Sequence, residues 1–172
     1  MNRNFSRVLI LSSLFFVFNA CTTDAATNES ITSTNDLKTQ KNVGYTYSSL
    51  ELETLDIINN YRKSLGLKTL EKINYISIKS EEHNDYMISN NSISHDNFSI
   101  RSENIKEVLG AETVNENLAF NFNTAEGVLS AWLKSDVHKK QIIGNFTHFG
   151  IAIKAEPVSG KKYFTNIFVR IR

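Results

Sequence analysis

The sequence predicts an α+β sandwich, on three observations. Apolar residues recur at helical spacing from about residue 48 to residue 143. From Gly150 onward they alternate as in strands. The final alternating run is apolar on both faces, which suits a sheet covered on both sides. Helices early and strands late make an α+β arrangement. With 172 residues, 41% hydrophobic and 22% charged, the chain is long enough for one well-buried domain.

The N-terminus reads differently. Arg3 and Arg7 form a basic start, and Val8 to Phe18 is an apolar run too short to span a bilayer. It ends at Ala20-Cys21, which resembles a bacterial lipoprotein signal over residues 1–20, with Cys21 as the lipidated first residue. The other reading of Cys21 is an ordinary buried thiol behind a plain secretory signal. Cleavage after residue 20 leaves 17 basic and 18 acidic residues, a net charge of −1. That balance argues against nucleic acid as a partner and against a polybasic membrane patch. With the only cysteine acylated, disulfides, zinc–thiolate sites and cysteine nucleophiles are excluded. Residues 21–47 are mostly small, polar and charged, and read as a flexible tether ahead of a domain over 48–172.

Within that domain, Ser48 followed by Glu51 is a capping box opening a first helix, with Leu55, Ile58, Tyr61 and Leu65 as its stripe and Gly66 as its stop. A second helix is predicted from Asn74 to Ser89, with Ile76, Ser80, His83 and Met87 on one face. Residues 96–113 read as loop with a short helix near Asn104–Leu109, closed by Gly110. Thr124 caps a third helix carrying Val128, Leu129 and Trp132, and a short fourth opens at Ser135 or Asp136 and runs to Ile143. Strands follow: Gly150 to Val158, with Ile151, Ile153 and Ala155 on one face, a turn at Pro157–Gly160, and Lys161 to Ile171.

The chemistry centres on Glu116, set between Asn115 and Asn117 ahead of the apolar Leu118-Ala119-Phe120. A carboxylate entering a buried run needs a partner, since an unpaired buried charge costs several kcal/mol. Only four histidines are present: His83, His95, His138 and His148. The segments Ser94-His95-Asp96, Glu116 and Trp132 to His138 are expected to converge on one polar pocket. His83, on the apolar stripe of its helix, reads as a core histidine rather than a ligand. His148 is left open between surface and cleft. Trp132, Phe164 and Phe168 read as core, and Asp96 with Arg101 as a pair ordering the loop.

Read in order, Asn60-x-Arg62-x-x-x-Gly66-Leu67, His83-x-x-x-Met87, Ser94-His95-Asp96, Arg101, Glu116-Asn117-Leu118-Ala119, Trp132-x-x-Ser135-x-x-His138 and Phe146-Thr147-x-x-Gly150 resemble a bacterial member of the CAP superfamily (SCP/PR-1-like). The resemblance covers roughly residues 50–172. It implies a three-layer α–β–α sandwich with a central, mainly antiparallel sheet and a cleft lined by histidines and acids, which takes up a divalent metal such as zinc in several relatives. His95, Glu116 and His138 match the family's cleft positions, with Ser135 beside them. Here Asn115 stands for a glycine, and Asp136-Val137 for a Pro-Gly pair.

On this reading His95 and His138 are the candidate metal ligands, with Glu116 ligating or orienting a ring; the alternative is a metal-free hydrogen-bonded polar core. No cofactor is required. A hydrolase would use Glu116 with a histidine to activate water, or His138 to serve Ser135, yet no nucleophile-elbow or oxyanion pattern surrounds that serine. The expectation is therefore a lipid-anchored, monomeric cell-surface protein of binding type, displayed on an outer membrane. Its expected partners are a host protein, a small apolar ligand such as a sterol or fatty acid, or another envelope protein. The alternatives are a metal-dependent hydrolase of the same fold and a degenerate member without cleft chemistry.

Overall fold

Ser48 starts the first helix, α1 (Ser49–Ser64), by the predicted device. Its hydroxyl accepts the Glu51 N–H, and the Glu51 carboxylate accepts the Ser48 N–H at 2.7 Å. The buried Glu51 carboxylate also takes the Tyr45 hydroxyl at 2.9 Å and the Ile153 N–H at 2.7 Å, so the cap is bonded to a strand far along the chain. The computed structural model describes residues 43–172; the signal of residues 1–20, Cys21 and most of the tether lie outside the described residues. Residues 43–47, the end of the segment read as a tether, contribute Val43 and Tyr47 to apolar packing.

Leu55 and Ile58 face the core as expected, but Leu65 is 50% exposed. The reason is that α1 stops at Ser64 and Gly66 turns the chain at φ +73°, so the buried stripe closes on Arg62 instead. After β1 (Glu71–Lys72), α2 (Asn74–Ser89) has the predicted bounds, with Ile76, Ser80, His83 and Met87 buried. Asn84 donates to the Ala152 carbonyl and accepts from the Thr165 hydroxyl, tying α2 to two strands.

Two expectations need correction. The helix placed near Asn104–Leu109 is α3 (Phe98–Leu109), twelve residues long. Its buried stripe is Arg101, Ile105 and Leu109, and a charged first member hides it from an apolar-periodicity reading. The run around Glu116 is a ten-residue strand, β2 (Ala111–Phe120), so with β1 two strands precede the last two helices. Its alternation is masked because Glu116 and Asn117 occupy buried positions.

Thr124 and Ser135 cap α4 (Ala125–Lys134) and α5 (Asp136–Ile142) through their side-chain oxygens. β3 (His148–Ala155) and β4 (Lys162–Ile171) form the predicted tail. On β3 the expected inner face fades toward its end: Ile151 is buried, Ile153 half-buried and Ala155 exposed. The sheet order is β1-β3-β4-β2, with β1 parallel to β3 and the other pairs antiparallel.

Among the described residues this is the α–β–α sandwich, five helices packed on a four-stranded mixed sheet. Phe149, Ile151, Phe164 and Phe168 pack on one face against Leu55 and Ile58 of α1, Trp132 of α4 and Ile142 of α5. Val114, Ile167 and Val169 pack on the other against Ile76 of α2 and Ile105 of α3. Gly150 is where α2 lies closest to the sheet: a Cβ there would meet the Ser77 nitrogen at 2.6 Å.

Candidate functional site

Strand β2 is an edge strand, and Glu116 sits near its middle with its side chain 1% exposed. The Arg101 guanidinium, supplied by α3, meets the carboxylate side-on: Nε donates to Oε2 at 2.9 Å and Nη2 to Oε1 at 2.9 Å. The His95 Nδ1–H donates to Oε1 at 2.8 Å. With Nδ1 engaged there, Nε2 is the nitrogen left toward the cavity and solvent, on a ring that is 54% exposed. His83 lies behind, its Nε2 at 3.8 Å from Oε1.

The expected Asp96–Arg101 carboxylate pair does not form. Arg101 Nη1 donates instead to the Asp96 backbone carbonyl at 3.1 Å, and the Asp96 carboxylate accepts from the Tyr86 hydroxyl. The guanidinium goes to Glu116 because that carboxylate is buried and would otherwise be uncompensated. Arg101 thus both closes the loop and neutralises the acid.

His83 is a core group, as its stripe position suggested. Its Nε2–H donates to the Ser94 carbonyl at 2.8 Å, which leaves Nδ1 a buried acceptor without a partner among the described residues. Burial pushes this imidazole below its ordinary pKa; Glu116 opposes the shift and Arg101 adds to it. His83 is therefore neutral near pH 7.

His138 reaches the same place from α5. It lines a cavity of about 220 Å³ with His95, Phe98, Asn115, Glu116, Val137 and Gln141. Three ties place it. The Ser135 hydroxyl accepts the His138 N–H, Asn117 Nδ2 donates to the His138 carbonyl at 3.1 Å, and Arg62 donates to the Ile142 and Gly144 carbonyls at the end of α5. Burial, with a smaller push from His95, also holds the His138 imidazole below its ordinary pKa. The three segments expected to converge do so, bringing His95, Glu116 and His138 to one cavity. Ser135 is a helix cap and is not among the groups lining it.

His148 lies elsewhere, at the start of β3. It faces a separate cavity of about 690 Å³ that also includes Arg62, Lys68, Glu71 and Arg172. Its Nδ1 is 2.8 Å from the Thr147 hydroxyl and its Nε2 3.8 Å from Glu71. Phe98, Val137 and Gln141 were missed as cleft residues. Gln141, one turn beyond His138 on α5, was legible from helical spacing alone.

Glu116 does not stand as a free third ligand beside the imidazoles of His95 and His138. Arg101 and His95 occupy both oxygens of Glu116, so the third ligand that would join two imidazoles is engaged. Among the described residues no group of three or more His, Cys, Asp or Glu is placed to hold an ion. Nor is any described helix long and apolar enough to cross a membrane.

Residues 55–169 match the model of the CAP, or cysteine-rich secretory protein, family. An uncharacterized membrane protein of Bacillus subtilis, YlbC, is 28% identical over 126 residues, covering 70% of this chain and 34% of that protein's length. This chain therefore spans about a third of that relative. Among solved structures, an outer surface protein of Borrelia burgdorferi superposes with a TM-score of 0.60 at 21% identity, covering 76% of this chain and 100% of the other. An extracellular SCP-domain protein of Bacillus anthracis gives a TM-score of 0.62 at 20% identity, over 74% of this chain and 45% of that one. At such identities the structural likeness concerns the fold.

Proposed function

This chain belongs to the CAP family of cysteine-rich secretory proteins, and on that premise we propose that it is a cell-surface protein that binds a partner through the β2 cleft and does no catalysis there. One observation carries the reading: Glu116, the one acid among the described residues lining the cavity, is buried and already accepts three hydrogen bonds from Arg101 and His95. A general base needs a free lone pair within reach of a proton, and a ligating carboxylate needs a free oxygen. Glu116 could serve in either role only by loosening a buried ion pair. What remains open to a partner is the exposed His95 ring, the half-buried His138 and the apolar Phe98 and Val137.

The decisive experiment compares wild type and Glu116→Gln on casein and on a simple aryl ester. Both are expected to show the same background. Turnover confined to wild type would replace the binding reading with the hydrolase.

Placement at the cell surface is supported by the lipoprotein-like Ala20-Cys21 and by relatives described as membrane, outer-surface and extracellular proteins. In this reading Cys21 carries the anchor and residues up to the domain act as its tether. Alkyne-palmitate labelling is expected for wild type and lost in Cys21→Ser, and external protease should remove the domain from intact cells. Labelling that persists in Cys21→Ser would remove the anchor from the proposal.

A further inference from the structure

We infer that the cavity formed by the α1–β1 loop, the α5–β3 loop and the end of β4 binds a small organic anion, a charged head on an apolar body. This is a second site, and it stands apart from the binding reading of the β2 cleft.

Size permits it. At about 690 Å³ the cavity lies within the roughly 300–1,000 Å³ usual for small-molecule sites.

Charge selects the sign of the ligand. Arg62, Lys68 and Arg172 line the cavity against one acid among the described residues, Glu71. That acid already faces the His148 ring, with Nε2 at 3.8 Å. Arg172 meets Glu112, but the same carboxylate also serves Arg170 at 3.1 Å, so one acid answers two guanidiniums. Arg62 is buried, and its hydrogen bonds end on the main-chain carbonyls of Lys68, Ile142 and Gly144, not on a carboxylate. Burial pulls its guanidinium below its ordinary pKa, and no acid among the described residues pushes it back. A buried cation without a counter-charge is costly. In surroundings of low dielectric its field reaches the cavity without direct contact, so an anion there lowers the cost.

The groups that would touch the head are accessible and unspent. Lys68, Thr69 and Asn145 are exposed. Among the described residues the fold uses neither their main-chain N–H groups nor the Lys68 ammonium, the Thr69 hydroxyl or the Asn145 amide. The loop that carries two of them is nevertheless fixed, because Arg62 Nε donates to the Lys68 carbonyl at 2.9 Å. A held loop with idle donors loses little freedom on binding. Beside these donors, Leu67, Ile143, Phe146 and Ile171 supply apolar wall that an inorganic ion would leave unused.

The test titrates phenyl phosphate, and benzyl alcohol as its neutral counterpart, into the full-length chain by calorimetry. Phenyl phosphate is expected to bind saturably and more weakly as salt is added, and benzyl alcohol not at all. Lys68→Glu should abolish binding, Lys68→Arg should keep it, and Thr69→Val should weaken it about tenfold. All three lie on an exposed loop and should leave the thermal midpoint unchanged. A parallel arm offers phosphatidylcholine vesicles with and without phosphatidic acid. Capture that needs both phosphatidic acid and Lys68 supports the site with a lipid head group as source. Phenyl phosphate binding without capture supports it with a free anion as source. Binding of neither probe overturns the inference, as does equal affinity for benzyl alcohol or undiminished binding by Lys68→Glu. Binding lost in the His95→Ala, His138→Ala double variant would put the anion in the β2 cleft and overturn it too, while leaving the binding reading of that cleft intact.

Discussion

Glu116 is tolerated in the interior because three cationic or donor groups surround it, and they do not carry equal weight. Arg101 makes two charge-assisted bonds in a site shielded from water, whereas His95 stands largely in solvent. Arg101→Met is therefore expected to cost about 3–5 kcal/mol in denaturant unfolding, since it strands a buried carboxylate. The double variant Arg101→Met with Glu116→Leu should recover most of that loss, as a hydrophobic replacement of both partners often does. His83 and His138 give a pH signature. Both are held below their ordinary pKa when folded, so the unfolded chain binds more protons once the pH drops below about 6.5. Their neutral forms support the fold above that pH, and the support is lost as pH falls through the depressed folded values. Unfolding free energy should thus decline from pH 7 to pH 5, by up to about 1.4 kcal/mol per pH unit for each group. His83→Gln should flatten part of that slope.

Among the elements, α1 shows how a local signal acquires a long-range role. Ser48→Ala removes one side of the capping box and should cost about 1 kcal/mol. Glu51→Ala should cost clearly more in the same assay, because the carboxylate also holds Tyr45 and the Ile153 N–H. Equal losses would mean that the cap is the whole of its contribution. Gly150→Ala tests the contact between α2 and β3. An added methyl meets main chain of α2 at 2.6–2.8 Å, where no flexible side chain can move aside. A destabilisation of about 1–3 kcal/mol is expected, with α2 displaced from the sheet.

At the scale of the whole molecule, a family named for its cysteines is represented here by a chain with one cysteine, placed ahead of the domain. What holds the layers is apolar packing on both sheet faces, with polar bolts between distant segments: Asn84 to Ala152, Arg62 to the end of α5, Trp132 to Leu118. Metal is not needed in this account of stability. Zinc is expected to leave the thermal midpoint unchanged, or to shift it equally in wild type and in the His95→Ala, His138→Ala double variant. A shift specific to wild type would show that Glu116 can leave Arg101 for an ion.

Much of the scaffold was legible from residues alone. The Ser48–Glu51 box, the bounds of α2, the caps at Thr124 and Ser135 and the doubly apolar β4 are local patterns, written in neighbouring side chains and read by counting. The order of family landmarks also brought His95, Glu116 and His138 together before any coordinates. The masked elements were those whose buried positions carry polar groups: Arg101 opening the stripe of α3, and Glu116 and Asn117 within β2. A polar residue is stable at such a position only if a group from elsewhere satisfies it, and that group is not a neighbour in sequence. The tertiary structure therefore decided that Arg101 answers Glu116 rather than Asp96, that Ser135 caps a helix, and that β2 lies at the edge of the sheet. Local composition determines which segments can be helix or strand; only the folded chain determines who neutralises a buried charge.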